Sequence, residues 1–262
     1  MEMDNTLSGL PDTLKHNRET AYCGVIGRKR KAFCIDQIEK KKDIFEQFRS
    51  NQLEVISKNG ETISCHKGCA HCCLAYMQAS VQECEAIVYY LYLHEDALAA
   101  FLRNYLPWRE KLRQNGDIFK ECGERWLTRN NSAKSEESLQ ALRESEGRYQ
   151  RQLLYCPFLH QGSCLIYEVR PFTCAALVAT TPGDRCAPTS AERAKTYVSH
   201  TPAVFDSSFF YNKITESTLG FMPLAVYGIL ADGYELLSNV PGLEGLEEAV
   251  MEDIGQKTPC EH

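Results

Sequence analysis

The sequence predicts a mostly α protein, a single irregular helical domain in which two Cys-rich loop segments are brought together. Three observations predict this. Apolar residues recur at helical spacing within long charged stretches. Alternating strand patterns are few and there is no internal repeat. Eight of the thirteen cysteines fall in two short windows, Cys65–Cys73 and Cys156–Cys186.

The helices come in order. Ala32–Ile56 carries Phe33, Ile35, Ile38, Ile44, Phe45, Phe48 and Val55 at helical spacing among charges, and Asn59-Gly60 stops it. Val81–His94 is the strongest helix, with Glu83 and Glu85 in its first turns favouring the dipole. Leu98–Leu106 continues in helix until Pro107, and Ile118–Leu127 and Ser138–Leu153 follow around a polar connection. The segment from Cys156 carries Pro157, Gly162, Pro171, Pro182 and Gly183, so loops with short helical pieces are expected. Asp206–Thr218, Pro223–Ser238 and Leu243–Ile254 read as helices. The division expected is a flexible tail over 1–20, a cysteine-cluster domain over 21–190, and a helical extension over 191–262 packed on it.

A chain of 262 residues buries enough apolar surface to fold without covalent staples. The cysteines therefore serve another purpose. The net charge is −6 and Lys and Arg are dispersed, which argues against a nucleic-acid partner. The run Arg28-Lys29-Arg30-Lys31 reads as a solvated helix start. No secretory pattern opens the chain, and no stretch approaches the roughly 18 apolar residues of a spanning helix. A soluble, cytoplasmic protein with no membrane partner is expected. An odd cysteine count in a reducing compartment speaks for metal ligands or redox groups over a disulfide framework.

The first cluster is Cys65-x3-Cys69-x2-Cys72-Cys73, four thiols within nine residues. A turn with cysteines two or three residues apart can aim its sulfurs at one centre, and thiolates suit zinc, copper(I) and iron–sulfur clusters. The second is Cys156, Cys164, Cys174 and Cys186, with gaps of seven, nine and eleven residues. Cys186, isolated in TPGDRCAPTS, is its weakest member. Cys23, Cys34, Cys84, Cys122 and Cys260 stand apart, and single cysteines are commonly packing residues. His66, His71 and His160 lie inside the clusters as possible zinc ligands. Arg170 precedes Pro171, which can open a short helix carrying Cys174, and a guanidinium there would offset thiolate charge. Tyr167 reads as core packing.

CHKGCAHCC followed downstream by CPFLHQGSCLIYEVRPFTC resembles the YkgJ-like cysteine-cluster family, described as a zinc- or iron-chelating domain. Cys65, Cys69, Cys72 and Cys73 match its first motif. Cys156, Pro157, Phe158, Leu159, Gly162, Cys164, Ile166, Tyr167, Arg170, Pro171 and Cys174 match its second. Glu85 matches the acidic residue that opens the family's next helix. The match spans about residues 60–190 and departs at Ala175, where the family usually has Arg. The resemblance implies a chelated metal ion, held as an iron–sulfur cluster or as zinc, and leaves any activity open. One relative, flagellin lysine-N-methylase, makes a redox or methyl-transfer enzyme the alternative. A further reading takes Cys65-x3-Cys69-x2-Cys72 as a radical S-adenosylmethionine motif. That motif belongs at the end of a barrel strand, whereas a charged helix precedes it here, and Cys73 and the second cluster would be left unexplained.

Overall fold

The computed structural model describes residues 12–66, 68–131, 135–199 and 219–232, and these are mostly helical. The helices are α1 (Asp12–Thr20), α2 (Gly24–Lys58), α3 (Val81–Leu93), α4 (Glu95–Gln114), α5 (Gly116–Asn131), α6 (Glu136–Gln150), α7 (Phe172–Ala176) and α8 (Met222–Asp232). Among the described residues there are also three two-stranded antiparallel ribbons. They pair β1 (Gln78–Ser80) with β6 (Leu219–Phe221), β2 (Leu159–His160) with β3 (Ser163–Cys164), and β4 (Leu177–Ala179) with β5 (Thr196–Val198).

α3 is the central post. Its sequence VQECEAIVYYLYL is apolar nearly all round, which marks a helix buried on every side. Ser80 starts it through a capping box with Glu83. α2, α4 and α8 pack around it. The main core gathers Ile87, Leu91, Phe101, Tyr105, Phe158 and Val226. A smaller core, Ile44, Phe48, Phe172, Ala175 and Ala176, joins α2 to α7.

Several expectations are corrected. The tail expected over 1–20 is helical from Asp12. Leu14 is buried, and the Asn17 amide donates to the Leu230 and Ala231 carbonyls at 2.9 and 2.8 Å. α4 does not stop at Pro107. The buried face Leu98, Phe101, Tyr105, Trp108 and Leu112 carries the helix through it, so tertiary burial outweighs the roughly 3 kcal/mol that an internal proline costs. Arg30 in the basic run is buried, not solvated, with its guanidinium on Glu85 at 2.7 Å. The 191–262 extension is no appendage where it is described. β5 pairs with β4, β6 pairs with β1, and α8 fills the core with Met222, Val226, Ile229 and Leu230. The helices expected over Asp206–Thr218 and Leu243–Ile254 lie outside the described residues.

Candidate functional site

The first cysteine segment leaves α2 at Asn59 and Gly60, whose φ of +69° suits glycine at a helix end. The chain then lies along β4. The Ser64 amide donates to the Ala179 carbonyl at 2.8 Å, and the Ser64 hydroxyl reaches the Ala179 and Thr181 carbonyls. The Ala179 amide returns a hydrogen bond to Cys65 Sγ at 3.2 Å. Gly68, with φ of +93°, turns the loop. A short 3-10 turn, His71–Leu74, carries Cys72 and Cys73 and ends on the buried Leu74. Within this turn the adjacent Cys72 and Cys73 thiols stay within hydrogen-bonding reach of each other.

The second segment is tied to the first by backbone: the Cys156 amide donates to the Cys73 carbonyl at 2.7 Å. Beyond it, β2 and β3 form a hairpin around Gln161 and Gly162, with φ of 48° and 74°. Two positive φ values fit a primed turn matched to strand twist. Asn104 on α4 donates to the Pro157 and Leu159 carbonyls at 3.1 and 3.2 Å, and Phe158 stacks on Phe101 at 4.2 Å. The hairpin sets Cys164 opposite Leu159. The Phe158 amide then points at the Cys156 sulfur and the Ile166 amide at the Cys164 sulfur. Amides aimed at sulfur favour the thiolate and tune a metal bound to it.

Pro171 stands at the start of α7, which carries Cys174, as its position in the sequence suggests. A buried ion pair that the sequence does not announce holds this turn. Lys41 Nζ lies 3.0 Å from Glu83 Oε1, and both side chains are fully buried. Lys41 also donates to the Val169 and Arg170 carbonyls, and Glu83 accepts the Phe172 amide at 2.9 Å. Gln52 holds the Ala176 carbonyl at 2.9 Å, and the Thr173 hydroxyl holds that of Gln78 at 3.0 Å. In sequence, Lys41 sits in KKKD and looks like a solvated lysine. The only clue is its place on the apolar stripe with Ile38, Ile44 and Phe48. The acidic residue that reaches the cysteine segment is therefore Glu83, whereas Glu85 turns to Arg30.

All eight candidate cysteines are free thiols brought into one region, and their mutual influence divides them. Cys73 is pushed up by its hydrogen bond with Cys72, by burial, and by Cys156 and Cys164. Cys156 is pushed up to about 12 by burial, with Cys164 and Cys72 adding to it. Burial likewise raises Cys174, which feels Cys156, Cys72 and Cys164. Cys65 is raised by burial, Cys69 and Cys72, and Cys186 by burial, Cys65, Cys69 and Cys72. Cys72 belongs to both sets and moves the other way. The Cys73 hydrogen bond, against burial, brings it down to about 7, with help from Arg170. Cys186, the weakest candidate in sequence, is well placed, because its turn Gly183–Cys186 packs against the turn carrying Cys72.

The donor set fits a thiophilic metal: eight soft sulfurs, three of which receive backbone amides. The thiols are neighbours, not a finished polyhedron, since no group of three or more ligating side chains among the described residues stands ready to hold an ion. Arg170 lies over Tyr167 at 3.8 Å and Phe45 at 4.9 Å, and its charge lowers both Cys72 and Cys164. Tyr167 is exposed, not core, and serves as the plate on which that guanidinium rests. His66 has Nδ1 3.1 Å from the Ser64 carbonyl, His71 opens the 3-10 turn, and His160 lies on β2.

Cys34, Cys84 and Cys122 are fully buried packing residues. Cys23 is disulfide-bonded, which the reading of the sequence did not foresee, and Cys260 lies outside the described residues. All described strand pairs are antiparallel, and helix α2, not a strand, leads into Cys65, so the architecture lends nothing to a βα barrel. Among the described residues no helix is long and apolar enough to cross a membrane. No family model matches the chain, and no curated protein or solved structure is found similar to it.

Proposed function

We propose that this chain is a metal-binding protein of the YkgJ-like kind, chelating iron as an iron–sulfur cluster, or zinc, through Cys65, Cys69, Cys72, Cys73, Cys156, Cys164, Cys174 and Cys186. One observation supports this most: eight thiols from two distant segments meet, with the Cys156 amide bonded to the Cys73 carbonyl at 2.7 Å. Neutral, the clustered thiols are tolerated; on binding, a cation would draw off their protons, which burial and the neighbouring thiols otherwise hold in place. Arg170 would then face the centre and offset its negative charge. The bound group would supply Lewis acidity or electron transfer, and the chain's residues hold and tune it.

Purification without oxygen, with iron, sulfide and zinc analysis and a visible spectrum, tests the reading. A brown sample carrying iron and sulfide is the expected result, because sulfide-to-iron charge transfer gives colour. A colourless sample with stoichiometric zinc keeps the thiolate centre and moves the assignment to zinc, whose filled d shell gives none. A reduced protein that binds neither metal sinks it.

A further inference from the structure

We propose that the buried Lys41–Glu83 pair is the positioning device of the thiolate centre: it fixes the two cysteine segments relative to one another, and its charges serve the geometry of the site rather than the stability of the fold. The inference rests on the thiolate–metal reading above and goes beyond its ligand set.

The Glu83 carboxylate takes one backbone amide from the chain of each segment. Oε2 accepts the Ser80 amide at 3.2 Å, and Ser80 ends the short stretch that runs from Cys73 through Leu74 and β1. Oε1 accepts the Phe172 amide at 2.9 Å, at the start of the short helix that carries Cys174. Lys41 shares Oε1 at 3.0 Å and donates to the Val169 and Arg170 carbonyls at 3.2 and 3.0 Å. It thereby brings in α2, the helix whose end leads into Cys65. Phe45 and Gln52, on the same face of α2 as Lys41, reach the second segment too. The Arg170 guanidinium carbon lies 4.9 Å from the centre of the Phe45 ring, and Gln52 holds the Ala176 carbonyl at 2.9 Å.

Stability alone does not call for charges at this place. Lys41 Nζ lies 4.8 Å from the centre of the Phe172 ring, and Phe45 and Phe48 meet that ring edge-on at 5.9 and 6.2 Å. In such apolar surroundings a well-packed hydrophobic pair is commonly as stable as a buried ion pair. What a hydrophobic pair lacks is direction. Two carbonyls and two amides are held at fixed points here by groups that hydrogen-bond, and the stretch they fix carries Arg170 and leads into Cys174. A shift of that stretch would move the Arg170 charge and the Cys174 sulfur together. Residues that orient ligands from outside the coordination sphere account for about 10–100-fold in metal affinity.

The test titrates reduced, metal-free protein with zinc chloride against a chromophoric chelator, at a temperature where circular dichroism shows each variant folded. Lys41→Met should weaken zinc binding about 10–100-fold. Ile229→Ala, a truncation in the α8 core that also costs the fold heavily, should bind zinc as the wild type does, because it removes none of these hydrogen bonds. Glu83→Gln, which keeps the side chain's shape and loses its charge, should also weaken binding, and it carries the comparison if Lys41→Met does not fold without metal. Wild-type affinity in the folded pair variants overturns the proposal. So does an equal loss in Ile229→Ala, which would trace the effect to stability, and so does failure of both pair variants to fold, which would make the pair a structural element only. Each of these leaves the thiolate centre standing. A wild type that binds neither zinc nor iron removes the functional reading itself and the proposal with it.

Discussion

Cys156 and Cys73 share a backbone hydrogen bond of 2.7 Å between segments far apart in sequence. It is the closest link between the two motifs and does not depend on either thiol. Hydrogen exchange should therefore find the Cys156 amide strongly protected, at the level of core helices. Exchange there at the rate of an open loop would mean the segments are not joined in solution.

Lys41→Met should be among the most damaging substitutions in the chain. It leaves Glu83 buried without its cation and frees the Val169 and Arg170 carbonyls, so a loss of about 3–5 kcal/mol is expected. Urea unfolding measures it. A loss below about 1 kcal/mol, the level of an exposed pair, would show that the pair is solvated.

Reduced, metal-free protein should show one thiol far more reactive than the rest at neutral pH. Cys72 is brought from the ordinary thiol value down to about 7, chiefly by the Cys73 hydrogen bond. Its alkylation rate should rise with pH through that value. Because its folded value lies below the unfolded one, the associated stability is present in full above the ordinary thiol value. It is lost as pH falls through about 7. Cys73→Ala removes the donor and should move the alkylation midpoint upward. An unmoved midpoint would assign the low value to another cause.

Arg170→Met should weaken metal binding by about 10–100-fold, the usual scale for a residue that supports ligands without coordinating. Its charge acts on Cys72 and Cys164 while its plane rests on Tyr167. Arg170→Lys should recover part of the loss. Unchanged affinity in a folded Arg170→Met protein would reduce the residue to packing.

Cys34→Ala, Cys84→Ala and Cys122→Ala should keep full metal content, since these thiols are sealed in the core. Each should cost roughly 1 kcal/mol of stability, the common cost of a point substitution. Metal loss in any of them would show the eight-thiol set to be incomplete.

The sequence by itself determined the elements whose signal is local. α3 announces itself through an unbroken apolar run behind Glu83 and Glu85 in its first turns. The stop of α2 lies in Asn59-Gly60, and the short helix at Cys174 in Pro171. It also singled out the eight cysteines as candidate soft donors by their crowding in two short windows. Tertiary structure alone decided the rest. Lys41 and Arg30 look solvated in their charged runs, and only the approach of α3 shows that each faces a buried carboxylate. Pro107 reads as a stop, and only the core behind Trp108 shows why the helix continues. Cys186 looked stray until its turn was seen packed against that of Cys72. In each case a local preference worth up to a few kcal/mol was overruled by burial against residues far away in sequence, which no local pattern records.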